Sequence, residues 1–332
     1  MPELRKDPIT GTWVIISEER KKRPKYYQIV VDKDISTPEH CPFCPGNEAM
    51  TPPETFALRP GNSAVNSPGW ELRAVPNKFP ALRVEGELRK SGEGFYDKIS
   101  GIGAHEVIIE TPRHGHTWFD GDDTVMRNTL LAARARVLDL KKDTRFKYIM
   151  VFKNFGPTAG ASLSHSHSQL IALPVVPLRV QEEIDGARAH FERKERCIFC
   201  DIIQYESEAD RRLLTENEHF IVLAPYAPRF SFELAVYPKR HEPAFENTPD
   251  NELASLSSIL NETLGRVGRL LNRPDYNLII HNAPCRNSVG DFFHWHIEFM
   301  PVLARVAGFE WGTGFHINPI SPEESVQELK AV

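Results

Sequence analysis

Two stretches of the chain carry a pair of histidines with one residue between them: S-H-S-H-S-Q at 164–169 and F-H-W-H-I-E at 293–298. Each is preceded, in the same order, by a C-x-x-C pair and by a lone histidine shortly after a proline. Cys41, Cys44 and His114 come before His165 and His167; Cys197, Cys200 and His241 come before His294 and His296. The lone histidine precedes its pair at nearly the same interval in both units. Two thiolates and two imidazoles are a tetrahedral zinc donor set. A redox dithiol is the other reading of C-x-x-C, but it needs a thioredoxin-like βαβ setting that the flanking sequence does not offer. Any single histidine here would pass as a surface or core residue. The ordered repetition turns that reading over.

The run Phe152–Gln169, F-K-N-F-G-P-T-A-G-A-S-L-S-H-S-H-S-Q, holds the densest chemistry. A strand ends near Asn154, a loop of small residues with Gly156 and Gly160 follows, and the chain re-enters a strand through His165. Small residues let backbone N–H groups approach an anion, as a phosphate-cradling loop requires. Alone, the loop would be a plain connector. Beside H-x-H-x-Q it is more, because residues i, i+2 and i+4 of a strand share a face. His165, His167 and Gln169 would stand in line about 7 Å apart. One histidine can then hold metal while its neighbour faces a ligand held by the loop.

The elements that must position these groups repeat as well. Strand-like runs are WVIIS, EVIIE, YIMVF, HFIVLAP, FELAVYP, YNLII and HWHIEFMP. Helical periodicity marks VMRNTLLAARARVLDLKKD and NELASLSSILNETLGRVGRLL, each just before the strand that leads towards an H-x-H pair. The fold class expected is α+β, mainly antiparallel sheet with packed helices, in two tandem units. Residues 1–185 form the N-terminal unit and 186–332 the C-terminal one, joined through the partly helical LPVVPLRVQEEIDGARAHFERKER. Segment 60–70 reads as an exposed loop, and Cys285 as an unpaired thiol.

H-x-H-x-Q after N-x-G-x-x-x-G-x-S resembles the galactose-1-phosphate uridylyltransferase family of the histidine-triad superfamily. RKKRP at 20–24, CPFCPGNE at 41–48, VPNKFPAL at 75–82, the His114 segment, PKRH and HNAP extend the likeness over nearly the whole chain. The resemblance implies histidine-triad-like units with a half-barrel sheet, in a homodimer whose sites are completed across subunits. It implies a covalent nucleotidyl-histidine double displacement, with His167 as nucleophile on the α-phosphorus of a nucleotide sugar. Gln169 would hold a phosphoryl oxygen, Arg20 and Arg23 the phosphates, Ser162 a phosphate, Asn77 the ribose or base, and Asn154 would stand near the nucleophile. A structural zinc would sit on Cys41, Cys44, His114 and His165, with His116 competing for the third place. For a second zinc, the repeat points to Cys197, Cys200, His241 and His294. Relatives without this cysteine pair suggest Glu183, His281, His294 and His296 instead; thiolates favour the first set. His296 sits where the repeat would put a second nucleophile, but lacks the Gly-rich loop and the following Gln, so a structural role is expected.

The resemblance implies UDP-glucose–hexose-1-phosphate uridylyltransferase activity, in galactose metabolism. ADP-glucose phosphorylase, passing adenylyl to phosphate, is the alternative. The family's uridylyltransferases usually carry N-P-H-P-H-G-Q and Asn-Asp where this chain has L-S-H-S-H-S-Q and Asn77-Lys78. The tail 308–318 also lacks the usual Lys and Glu.

Composition fits this and excludes much else. With 332 residues, 41% hydrophobic, 26% charged and a net charge of −5, the chain is neither disordered nor a basic nucleic-acid binder. A zinc-ribbon binding protein would need basic, aromatic-laced cysteine fingers, whereas CPFCPGNEAMTPPE is acidic and proline-rich. No apolar run nears the roughly 20 residues of a membrane span, and the N-terminus shows no signal-peptide core. With sparse cysteines, the expectation is a cytoplasmic protein, without nucleic-acid or membrane partners, acting on a nucleotide sugar and a sugar 1-phosphate or phosphate.

Overall fold

The computed structural model describes residues 3–16, 37–286 and 289–332. The chain begins with an antiparallel pair, β1 (Glu3–Lys6) and β2 (Trp13–Ile16). Then come β3 (Phe56–Leu58), β4 (Leu72–Pro76), an exposed hairpin of β5 (Lys90–Glu93) and β6 (Tyr96–Ile99), and β7 (Ala104–Ile109). Helix α1 (Asp123–Leu140) leads into β8 (Tyr148–Phe155) and β9 (His167–Leu173). Helices α2 (Leu178–Lys194) and α3 (Ile198–Ala209) carry the chain to β10 (Leu213–Glu216), β11 (Phe220–Leu223) and β12 (Leu234–Pro238). Helix α4 (Asp250–Leu271) then leads into β13 (Tyr276–His281) and β14 (His296–Pro301). The described chain closes with α5 (Gly308–Thr313), β15 (His316–Asn318), which lies parallel to β2, and α6 (Pro322–Lys330).

Ten strands form one antiparallel sheet in the order β10-β11-β12-β14-β13-β8-β9-β7-β4-β3. Outward from the β8·β13 seam, the two halves run through matching elements: β8, β9, β7, β4, β3 on one side and β13, β14, β12, β11, β10 on the other. In each half a long helix, α1 or α4, sits between the third and fourth strands of the chain order. This is the tandem α+β arrangement expected from the repeat. The expected boundary at 185 falls inside α2.

Strand alternation divides the labour between the two faces. Leu72, Ala74, Ile108, Val151, Leu170, Leu278, Ile280, Ile297 and Phe299 point to one side and join Met126, Leu130 and Val137 of α1 in a single core. Helix α4 adds Leu253, Leu256, Leu260, Leu264 and Val267, a stripe at three- and four-residue spacing. Asp122 starts α1 by accepting from the N–H groups of Thr124 and Val125. Helices α1 and α4 cover that face of the sheet; α2 and α3 pack on part of the other, against Tyr148, Ile221, Ala235 and Tyr237, and the rest of it is left for chemistry. The register puts His105, Val107 and Ile109 of β7 beside Ile171, Gln169 and His167 of β9 on that face. Asn277, His281, His296 and Glu298 continue it across the seam.

Two boundaries differ from expectation. Strands β9 and β14 begin at His167 and His296, so the first histidine of each pair precedes its strand. Helix α3 starts right after Cys197, so the second C-x-x-C lies at a helix N-terminus while the first lies in turns. The helical periodicity of IFCDIIQYESEA was hidden there by the cysteines.

Candidate functional site

The C-x-x-C turn at 41–44 packs against the sheet beside the start of β9, through Phe43, Trp70, Val75, Val107 and Ile109. Cys44 Sγ lies 3.2 Å from His114 Nδ1 and 3.5 Å from His165 Nδ1; Cys41 Sγ lies 3.6 Å from His165 Nδ1. Zinc with Zn–S of about 2.3 Å and Zn–N of about 2.0–2.1 Å needs S···N edges of about 3.6 Å in a tetrahedron. The spacing fits. The far nitrogen of His165, Nε2, donates to Thr111 O at 2.8 Å, which leaves Nδ1 bare to bind metal. His116 is not part of this group; its Nδ1 faces Asp120 at 3.4 Å.

The second half repeats the arrangement. Cys200 Sγ stands 3.3 Å from His241 Nδ1 and 3.7 Å from His294 Nδ1. His241 Nε2 donates to Gly290 O and His294 Nε2 to Pro238 O, at 2.6 and 2.8 Å. Ligand atoms of Cys197, Cys200, His241 and His294 all lie within 4.8 Å of one another. The carboxylate alternative does not assemble as four, because the Nδ1 of His294 is turned to the cysteines. Its other three members do meet: Glu183 lies 3.1 Å from His281 Nδ1 and 3.3 Å from His296 Nε2. Burial would raise the Glu183 carboxyl, but His281 and His296 outweigh it and hold it at about 2. Burial would lower the His281 imidazole, but Glu183 and Glu298 lift it to about 10.

His167 and His296 occupy matching places and differ in what meets their Nε2. Each donates its Nδ1–H to the carbonyl of the histidine two residues back, His165 O at 2.8 Å and His294 O at 3.1 Å. The Nε2 of His296 is then stopped by Glu183. Among the described residues, the Nε2 of His167 meets no protein partner and faces the open side of the sheet. Burial pushes the His167 imidazole below its ordinary value, against the pull of the His165 carbonyl. A neutral ring with a bare Nε2 is a nucleophile at neutral pH.

Around His167 the expected residues fall as follows. Gln169 lies one pleat further along β9, and Asn154 stands on the neighbouring β8, its Oδ1 accepting from Asn277 Nδ2 at 2.9 Å. Ser162 is exposed on the loop before His165. Asn77 directly follows β4, its Oδ1 accepting from Phe79 N–H at 2.9 Å. Arg20 and Arg23 lie outside the described residues.

The Gly-rich loop does something other than expected. The N–H groups of Ala159 and Ala161 donate to Gly156 O, that of Gly160 to Pro157 O, and that of Thr158 to Asp275 at 2.8 Å. These four donors are taken up within the turn or by Asp275 and are not turned towards an anion. Glycine is needed at 156 for another reason: its φ is +82°, and a Cβ would fall 1.9 Å from Asp275 Oδ1. The loop is a tight, pinned turn that ends Asn154's strand.

Sequence reasoning missed what lies beneath His167. Lys153, 1% exposed, reaches Glu110, 0% exposed, at 2.8 Å, and also donates to Ser166 Oγ and to His167 O, both at 3.1 Å. Ser166 and Ser168 each donate to Glu110 at 2.5 Å. Burial works to raise the Glu110 carboxyl, and Lys153 with the two hydroxyls overrides it, so it stays ionised. The signal was present in S-H-S-H-S. Period two sends the serines to the helix-covered face, where buried hydroxyls and the lysine of YIMVFKNF need partners.

Residues 1–177 match the family model of the galactose-1-phosphate uridyl transferase N-terminal domain, and 119–331 a domain of unknown function (DUF4921). An ADP-glucose phosphorylase from Arabidopsis thaliana is 37% identical, aligned over 100% of this chain and 93% of its own. A galactose-1-phosphate uridylyltransferase from Thermotoga maritima is 30% identical over 99% of this chain and 98% of its own. The chain belongs to the galactose-1-phosphate uridyl transferase family. It is an enzyme of the nucleotidyl-transferring class. The crystal structure of the Arabidopsis ADP-glucose phosphorylase with bound ADP-glucose superposes with a TM-score of 0.85, at 36% identity, covering 100% of this chain and 99% of that one. A uridylyltransferase structure gives 0.78 at 28% identity, covering 100% and 98%.

In this member of the family, the strand bearing the candidate nucleophile rests on a buried ion pair. Removing one partner of such a pair costs about 3–5 kcal/mol. Lys153→Met is therefore expected to lower stability by about that much in denaturant unfolding. The double variant Lys153→Met/Glu110→Leu should recover most of the loss, since no unpaired charge is left. An unchanged stability in the single variant would contradict the role given to the pair.

Proposed function

We propose that this enzyme cleaves a nucleotide sugar by two in-line displacements through His167. Its Nε2 lone pair attacks the α-phosphorus, a P–N bond forms, and the P–O bond to the sugar phosphate breaks, releasing sugar 1-phosphate. A phosphate-bearing acceptor then attacks the same phosphorus, the P–N bond breaks, and His167 is regenerated neutral. The observation that carries this reading is the bare Nε2 of His167, set against the blocked Nε2 of His296.

Gln169, which cannot titrate near neutral pH, would steady a phosphoryl oxygen without relaying a proton to water, which favours transfer over hydrolysis. Ser162 would contact a phosphate, Asn154 would stand near the nucleophile, and Asn77 would contact the nucleoside. Arg20 and Arg23 would supply cationic forks for the phosphates in a homodimeric site.

The donor we infer is ADP-glucose and the acceptor phosphate, giving ADP and glucose 1-phosphate. The ADP-glucose phosphorylase shares more sequence with this chain than the Thermotoga uridylyltransferase does, 37% against 30% identity. The second reading, uridylyl transfer from UDP-glucose to a hexose 1-phosphate, is supported by the family model and by the Thermotoga relative's near-complete coverage. Steady-state rates with ADP-glucose plus phosphate and with UDP-glucose plus galactose 1-phosphate separate the two. The expected outcome is turnover of the adenosine pair, falling by at least about 10⁴-fold in His167→Asn. Comparable or faster turnover of the uridine pair would move the assignment to the uridylyltransferase.

Both cysteine–histidine sets would hold zinc, two ions per chain, in closed S₂N₂ sites that fix structure and leave no position for water. Metal analysis of the purified protein should give two equivalents, and one in Cys197→Ser/Cys200→Ser. Glu183→Gln should keep both. Loss of metal in Glu183→Gln, with retention in the cysteine variant, would favour the carboxylate set.

A further inference from the structure

On the open face of the sheet, β7 places His105 diagonally across from Gln169 of β9. The Nδ1 of His105 accepts the backbone N–H of Ala81 at 3.2 Å. A backbone N–H can only donate, so the ring proton resides on Nε2. Gln169 Oε1 lies 2.8 Å from that nitrogen and accepts from it. The Nδ2 of Asn77 stands 3.2 Å from the same nitrogen, but it too is a donor, because the Asn77 oxygen is taken by Phe79 N–H. Gln169 Oε1 is thus the acceptor for the His105 proton.

The consequence falls on the amide of Gln169. A glutamine can present either its oxygen or its NH₂ to a phosphoryl group, and only the NH₂ is attracted to it. With Oε1 held by His105, the NH₂ is what the amide turns towards the open face, where it has no protein acceptor among the described residues. We propose that His105 is a positioning residue for nucleotidyl transfer, acting through Gln169 by fixing which end of the amide meets the phosphoryl oxygens. This rests on the reading of Gln169 as the residue that holds a phosphoryl oxygen. Ala81, by setting the imidazole tautomer, belongs to the same relay. Nothing in the H-x-H-x-Q run points to His105, which lies 64 residues upstream of Gln169.

His105→Phe keeps a ring of similar bulk and removes the N–H. In steady-state assays with ADP-glucose and phosphate, kcat should fall about tenfold, as expected for a misaligned contact to the reacting group. KM for ADP-glucose should change by less than about twofold, because a contact made chiefly in the transition state affects kcat. His105→Gln, which can again donate to Gln169, should restore most of the rate; a purely structural role would not give this rescue with an unshifted KM. Gln169→Glu can still accept from His105 but offers no donor, and should lower kcat by about 10²-fold. Adding His105→Phe to Gln169→Glu should then cost nothing more. If the two losses multiply instead, or if His105→Phe turns over at the wild-type rate, His105 does not act through Gln169. A wild-type rate in Gln169→Glu would overturn the reading of Gln169 itself, a separate failure visible without any change at 105. Should His105→Phe fail to fold, His105→Asn, too short to reach Gln169, carries the same comparison.

Discussion

The hydrogen bond from His167 Nδ1 to the carbonyl of His165 joins the first cysteine–histidine set to the imidazole proposed as nucleophile. His165 is drawn to the cysteines by its own Nδ1, and its Nε2 is tied to Thr111. Its carbonyl is therefore held in place, and that carbonyl decides which nitrogen of His167 carries the proton. The bare Nε2 is what remains. A metal held by that set would serve the proposed reaction without taking part in it, by fixing a tautomer two residues away.

The same strand is held from below by other means. Lys153 and Glu110, with Ser166 and Ser168, form a fully buried cluster whose polar atoms are matched, and Lys153 also bonds the carbonyl of His167. A buried ion pair is weak support for stability, yet it specifies geometry when every member has a partner. From the third side, His105 holds the amide of Gln169. The duplicated half shows the contrast. There the histidine equivalent to His167 is closed off by Glu183, and the charges of Glu183, His281, Glu298 and Arg229 neutralise one another across the sheet. One half keeps an open imidazole nitrogen, and the other closes the equivalent nitrogen with a carboxylate.

Much of this could be read from residue spacing. The two C-x-x-C pairs, the lone histidines and the H-x-H pairs repeat in order, and the structure brings each set of four within ligand distance. Short strand-like runs such as YIMVF, YNLII and HWHIEFMP, bounded by turn residues, place the strands, and helical periodicity places α1 and α4. What escaped depends on contacts between segments far apart in sequence. Lys153 owes its place in the buried strand to Glu110, which lies 43 residues upstream. The Gly-rich loop looked like an anion cradle because Asp275, which takes up Thr158, lies more than a hundred residues away. Helix α3 was masked by its leading cysteines, and the short β3 and β10 have too few residues to show a period.

The proposed double displacement requires a covalent link between one imidazole nitrogen and phosphorus. With ¹⁵N-histidine-labelled protein, the intermediate formed from ADP-glucose without phosphate can be trapped, and its N–P attachment read by nitrogen–phosphorus correlation NMR and peptide mapping. The account predicts a single adenylyl group, on Nε2 of His167. An adduct on Nδ1 of that ring, or on His296, would contradict it.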